Sequence, residues 1–169
     1  MLTEEMTMTY EESVKYLYKI AGFATKSSLE DIKYFLERLG NPQKELHMIH
    51  VAGTNGKGSV CAFLEALLTQ HGKKTASFTS PHVVKINERI KLCAKEISDE
   101  RFVSAAVKVR HAIETGITEG KNSPSFFEAV FLMAMVIFQE EQPDICMIET
   151  GMGGRYDATN VICPKVSVI

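Results

Sequence analysis

Met48-Ile49-His50-Val51-Ala52, followed by Gly53-Thr54-Asn55-Gly56-Lys57-Gly58-Ser59, is the stretch that decides the fold. A short, mostly apolar run gives way to three glycines in seven residues, and then to an amphipathic pattern of Val60, Phe63, Leu64, Leu67 and Leu68 at helical spacing. A strand buried on both faces, a tight turn and a helix follow from that order. The glycines let the backbone approach an anion closely, and the amides opening the helix point at it with the positive end of the helix dipole. Thr54, Asn55, Gly56, Lys57, Gly58 and Ser59 are therefore candidate phosphate contacts, with Lys57 adding a full charge and Ser59 a hydroxyl within reach of a magnesium ion. The match to the P-loop formula is irregular. Val51 stands where the first glycine is expected, and Gly58 separates Lys57 from Ser59.

Outward from this loop, Thr9 and Glu12 have capping-box spacing, and Val14, Leu17, Tyr18 and Ala21 predict a first helix running to about Gly22. Ser28 with Asp31, then Ile32, Phe35, Leu36 and Leu39, predict a second, stopped by Gly40-Asn41-Pro42. Lys73 to Thr79 reads as a second strand and Ile90-Lys91-Leu92 as a short hairpin strand. Ser98 caps a helix with Phe102, Val103, Ala106, Val109 and Ile113 on its face, and a polar loop is expected from Gly116 to Asn122. A buried helix from about Ser125 to Gln139 precedes a third strand, Ile145 to Ile148, which ends at Glu149-Thr150 and a second glycine-rich turn, Gly151-Met152-Gly153-Gly154. Val166 to Ile169 begins a further strand. The alternation predicts an α/β fold, a mostly parallel sheet flanked by helices.

Composition excludes several classes. The chain has 169 residues and a formal net charge of -2, with its lysines and arginines dispersed, so there is no electrostatic footprint for nucleic acid. The longest apolar run, Ala129 to Phe138, is too short to span a membrane, and the acidic N-terminus around Glu4 and Glu5 lacks the features of a secretory signal. Cys61, Cys93, Cys146 and Cys163 have neither metal-ligand spacing nor a disulfide framework, which favours reduced thiols and a cytoplasmic protein.

In an open α/β sheet ligands sit beyond the carboxyl ends of the strands. The glycine loop, Ser80 and Glu149 all fall there. A nucleotide triphosphate needs a cradle, a cation and oxygen ligands for that cation, and Ser80 and Glu149 are candidate magnesium ligands. Taken singly, a serine before proline is commonly a turn residue and a glutamate at a strand end is often only solvated.

Ser80-Pro81-His82 with Ile86-Asn87-Glu88-Arg89-Ile90, and Glu149 to Arg155 with Asp157-Ala158-Thr159-Asn160-Val161, resemble the two signature segments of the folylpolyglutamate synthase and dihydrofolate synthase family. The lysine-glycine-serine form of the loop resembles the same family's, and the similarity runs from Tyr10 onward. The resemblance implies the amino-terminal part of the ATP-binding domain of a Mur-type ligase, a P-loop-type central domain here truncated, with a C-terminal glutamate-ligase domain absent. It implies ATP and magnesium as cofactors, and dihydropteroate or a reduced folate and L-glutamate as substrates. In that reaction ATP converts a substrate carboxylate to an acyl phosphate, which the glutamate amine attacks. Carried over by motif position, the resemblance implies catalytic roles for Lys57 and Glu149, magnesium ligation by Ser80 and Glu149, and folate contacts by His82, Asn87, Arg89, Phe127, Asp157 and Ala158. For Phe127, on a helix apolar nearly all round, core packing is the competing role. The family continues with a leucine-aspartate-histidine segment whose histidine is a further metal ligand, so this chain alone is expected to be inactive, and the full-length enzyme monomeric. A peptidoglycan Mur-type ligase domain and a non-catalytic nucleotide- or folate-binding fragment are the alternatives; the Ser80 to Ile90 segment argues against the former.

Overall fold

The computed structural model describes residues 8–21 and 28–169. Gly22, the expected end of the first helix, lies outside them, as do Glu4 and Glu5. Among the described residues five α-helices, α1 (Tyr10–Ala21), α2 (Leu29–Arg38), α3 (Lys57–Gln70), α4 (Asp99–Thr118) and α5 (Phe126–Glu141), accompany six strands: β1 (Met48–Val51), β2 (Thr75–Phe78), β3 (Ile90–Leu92), β4 (Lys95–Glu96), β5 (Ile145–Glu149) and β6 (Val166–Val168). The strands form one sheet in the order β4-β3-β2-β5-β1-β6. β2, β5, β1 and β6 are parallel, and β3 and β4 turn back as an antiparallel edge. The chain is thus α/β with a mostly parallel sheet. β1 and β2, joined through α3, are not neighbours, because β5 enters between them and pairs with both.

The central strands β1 and β2 are buried along their whole length, which is why they read as short, largely apolar runs. On one face of the sheet α3 packs over Ile49, Val51 and Met147. On the other, α5 lies against the sheet with Ala129 to Phe138 entirely buried, and α1, α2 and α4 pack around it. A helix enclosed on all sides needs no polar face, and this accounts for the apolar run. Among the described residues no helix is long and apolar enough to cross a membrane.

The caps predicted at Thr9, Ser28 and Ser98 are present, and the structure adds one at Ser125. Ser28 and Asp31 form a reciprocal capping box on α2, Ser98 accepts from Arg101 at the start of α4, and Ser125 and Glu128 form a second box on α5. Two expectations about helix faces and one about a helix end are corrected. α1 buries Ser13, Leu17 and Ile20, while Tyr18 is exposed at its edge and stacks on Phe126 at 5.0 Å. On α3, Phe63 and Leu67 are exposed (77% and 54%), and the inward side is Cys61 and Glu65 flanked by Val60, Leu64 and Leu68. The apolar arc of α3 is wider than the strip of sheet it covers, so its phase could not be read from apolar residues alone. Gly116, expected in a loop, is buried inside α4, where a Cβ would lie 2.5 Å from the Phe35 ring and 3.0 Å from that of Tyr34. The glycine permits the close approach of α2 and α4.

The segment between β2 and β3 is not a loose excursion. The Glu88 carboxylate accepts the amides of Val83, Val84 and Lys85 at 2.8, 2.7 and 2.6 Å. Asn87, fully buried, accepts from the Tyr10 hydroxyl and donates to the Ile97 carbonyl and to Asp99. Lys85 pairs with Asp99 and lies over the Tyr10 ring. The three amides hold the Glu88 carboxyl at about 2, well below its ordinary value of 4.5. A depressed carboxylate favours the folded loop fully above the ordinary value, and that contribution is lost as pH falls through about 2.

Gly116→Ala is expected to destabilise the chain by about 1–3 kcal/mol in urea denaturation, despite alanine's better helix propensity, because overpacking against Phe35 outweighs it. An NMR titration of the Glu88 side-chain carboxyl should give a midpoint near 2; a midpoint near 4.5 would mean that the three amide bonds do not hold in solution.

Candidate active site

The parallel strands deliver three segments to one end of the sheet. β1 ends at Val51, residues 52–56 form a loop, and α3 begins at Lys57. Gly53 and Gly56 sit at φ +143° and +80°, where residues with a Cβ are strained. The loop is therefore shorter than the P-loop formula supposes, since Val51 is still strand. No side chain caps α3. Its first amides are left for a ligand or solvent, with Thr54, Asn55, Gly56, Gly58 and Ser59 exposed and Lys57 half-buried.

Ser80 follows β2, and its amide donates to Glu149 Oε2 at 2.8 Å. Glu149 is the last residue of β5 and only 3% exposed. Burial raises its pKa, against the pull of the Ser80 amide, Lys57 and Arg89. A Cβ on Gly58 would lie 3.9 Å from this carboxylate, an ordinary van der Waals contact, so the first turn of α3 runs beside Glu149. Gly58, Cys61, Glu65, Ser77, Ser80 and Glu149 line a polar cavity of about 150 Å³. The Cys61 thiol there is pushed up to about 12 by burial and by Glu149 and Glu65, which removes it as a nucleophile.

Beside this lies a larger cavity of about 920 Å³, whose walls include Arg89, Phe126, Phe127, Met152, Asp157 and Ala158. Ser80 and Pro81 line both cavities. Phe127 is half-buried and serves two roles, lying 5.4 Å from the Phe78 ring in the core while lining the cavity. A Cβ on Gly151 would come within 2.8 Å of the Phe127 ring, so that glycine fixes how near the loop and the ring can stand. Arg89, largely buried, lies over the Phe126 ring at 5.2 Å, and its Nε donates to His82 Nδ1 at 2.8 Å. Burial and the neighbouring guanidinium hold His82 below the ordinary histidine value. His82 braces Arg89 rather than lining the cavity, and Asn87 is spent inside the segment described above.

Asp157 faces the cavity but its carboxylate is fully engaged. Oδ2 accepts the amides of Gly151 and Met152, and Oδ1 accepts the amide and hydroxyl of Thr159. Thr159 in turn meets His50 Nε2 at 2.8 Å. His50 and Thr159 were missed by the sequence reading. The available signal was a lone imidazole in the strand Met48–Val51. Glu65 was missed too: a carboxylate on the inward side of α3, accepting from the Ser77 hydroxyl and the Ala94 amide. Among the described residues no group of three or more His, Cys, Asp or Glu comes together as a metal site, and the side-chain oxygen donors lining the small cavity are those of Glu65, Ser77, Thr79, Ser80 and Glu149.

No family model matches the chain. The dihydrofolate synthase/folylpolyglutamate synthase of Bacillus subtilis is 35% identical over 165 residues, covering 97% of this chain and 38% of that protein. The human mitochondrial folylpolyglutamate synthase is 35% identical over 94% of this chain and 30% of its own length. Among solved structures, folylpolyglutamate synthase from Thermotoga maritima aligns with a TM-score of 0.85 at 41% identity, over 92% of this chain and 36% of that one. An FPGS in complex with AMPPCP and folate aligns with a TM-score of 0.88 at 36% identity, over 95% and 39%. The chain thus spans 30–39% of the length of these relatives. With its glycine loop, its Ser80–Glu149 pair and its second glycine turn on a matching sheet, the chain belongs to the folylpolyglutamate synthase/dihydrofolate synthase family.

Proposed function

We propose that this chain forms the ATP- and folate-binding part of a cytoplasmic ligase that adds L-glutamate to dihydropteroate or to a folyl(poly)glutamate through an acyl phosphate. One observation carries this reading: the phosphate-type loop, the Ser80–Glu149 pair and an aromatic-walled cavity meet at one end of the sheet, with Ser80 and Pro81 common to both cavities. The relatives' complexes with ADP, AMPPCP and folate support the ligand classes.

Lys57 and the first amides of α3 hold and orient the triphosphate, as phosphoryl transfer asks for positioning and charge neutralisation rather than a protein nucleophile. Ser80 and Glu149 fit magnesium: both offer oxygen, Glu149 is buried, and the Ser80 amide fixes its orientation. A magnesium ion held by Ser80 and Glu149 would supply charge neutralisation at the phosphates. The pterin lies in the larger cavity against Phe127, with Arg89, Asp157 and Ala158 among the other residues that line it. Asp157 acts there mainly by holding backbone, since its lone pairs are already taken.

Calorimetric titration of the 169-residue chain with magnesium ATP and with folic acid tests both halves. Lys57→Ala is expected to weaken magnesium ATP at least tenfold and leave folic acid unchanged. Gly151→Ala is expected to do the reverse, because its Cβ displaces the Phe127 ring. Losses that do not separate in this way would remove the two-site reading. Glutamate-dependent phosphate release with dihydropteroate is expected to be undetectable for this chain, because most of the relatives' length lies outside the part it spans; robust turnover would overturn that.

A further inference from the structure

His50 is the lone polar side chain of β1, and it is buried at 8% exposure. Strand alternation sets its direction: Ile49 and Val51 pack on the α3 face, whereas Met48 joins the core beneath α5, and His50 shares that side. There its Nε2 lies 2.8 Å from the Thr159 hydroxyl, 109 residues away in sequence. Thr159 has one hydroxyl proton and two possible partners. Asp157 Oδ1, at 2.6 Å, is a carboxylate oxygen that only accepts, so the proton points to it and Thr159 Oγ1 accepts from His50 Nε2–H. This fixes the tautomer. Burial favours the neutral ring, although Asp157 opposes it. The other Asp157 oxygen accepts the amides of Gly151 and Met152 at 2.9 Å each, the first two residues of the turn that walls the larger cavity.

The geometry points to His50 as a positioning residue: through Thr159 and Asp157 it holds the Gly151–Met152 backbone against the Phe127 ring, and so sets the affinity of the larger cavity for its aromatic ligand. Neither His50 nor Thr159 lines that cavity. Their influence passes through Asp157, whose carboxylate would keep its rotamer less strictly if Thr159 were free to turn its proton elsewhere. A neutral imidazole suits the role because it donates a hydrogen bond without placing a cation beside the carboxylate. β1 also runs into the phosphate loop two residues after His50, so one strand supports both ligand sites. The ligand class in this inference rests on the function proposed above, whereas the relay itself does not.

The test uses the 169-residue chain and two readouts, amide exchange at Gly151 and Met152 by NMR, and titration with folic acid and with magnesium ATP. His50→Leu and Thr159→Val should speed exchange at both amides about tenfold and weaken folic acid about tenfold, leaving magnesium ATP within twofold. His50→Gln, which keeps an N–H donor, and Thr159→Ser, which keeps the hydroxyl, should stay near the unaltered chain. Protection of the β1–β5 ladder amides reports whether each variant is folded, and the Thr159 pair decides if His50→Leu is not. Unchanged exchange in Thr159→Val, or a His50→Gln variant as impaired as His50→Leu, overturns the relay. If folic acid does not bind the unaltered chain, the ligand class fails, and the exchange rates still decide the relay.

Discussion

The parallel pairing of β1 with β5, which sets Val51 opposite Glu149, is the constraint on which the site depends. Parallel neighbours end at the same edge, so the loops leaving them are brought together without any attraction between the loops themselves. β5 also pairs with β2, placing Phe78 beside Ile148 and delivering Ser80 to the same edge. A slip of one residue in β5 would turn Glu149 toward the opposite face of the sheet and separate it from the Ser80 amide. Buried apolar side chains on both faces hold this register. The carboxylate at its end is thus positioned by the core, from which burial also raises its pKa.

Much of this arrangement was legible in the sequence because it rests on local rules. Ser28 and Ser98 marked helix starts by cap chemistry, and the short runs from Met48 and Ile145 marked central strands. The glycine loop marked the strand-to-helix turn. The parts that were not legible depend on partners distant in sequence. Phe63 and Leu67 look like core residues until the width of the sheet beneath α3 is known. Gly116 resembles a loop residue until Phe35 is placed against it.

The site divides along the same line. The residue types of the loop, Ser80 and Glu149 announced oxygen and phosphate chemistry, whereas the roles of the supporting polar groups did not follow from type. Asn87, in a segment that reads as ligand-facing, spends its side chain on Tyr10, Ile97 and Asp99. Glu88, unremarked in the pattern, organises three successive amides. Asp157 faces a cavity yet bonds backbone. A polar residue near a site can belong to its frame or to its contact surface, and its hydrogen-bond partners distinguish the two.

Ser80 and Pro81 are a wall shared by the small polar cavity and the large aromatic one. A shared wall makes the two spaces thermodynamic neighbours. An occupant that moves Pro81 in one cavity alters the free energy of filling the other, and linkage requires the effect to be equal in both directions. The order in which two ligands enter then governs the rate of assembly but not the final stability of the doubly filled state.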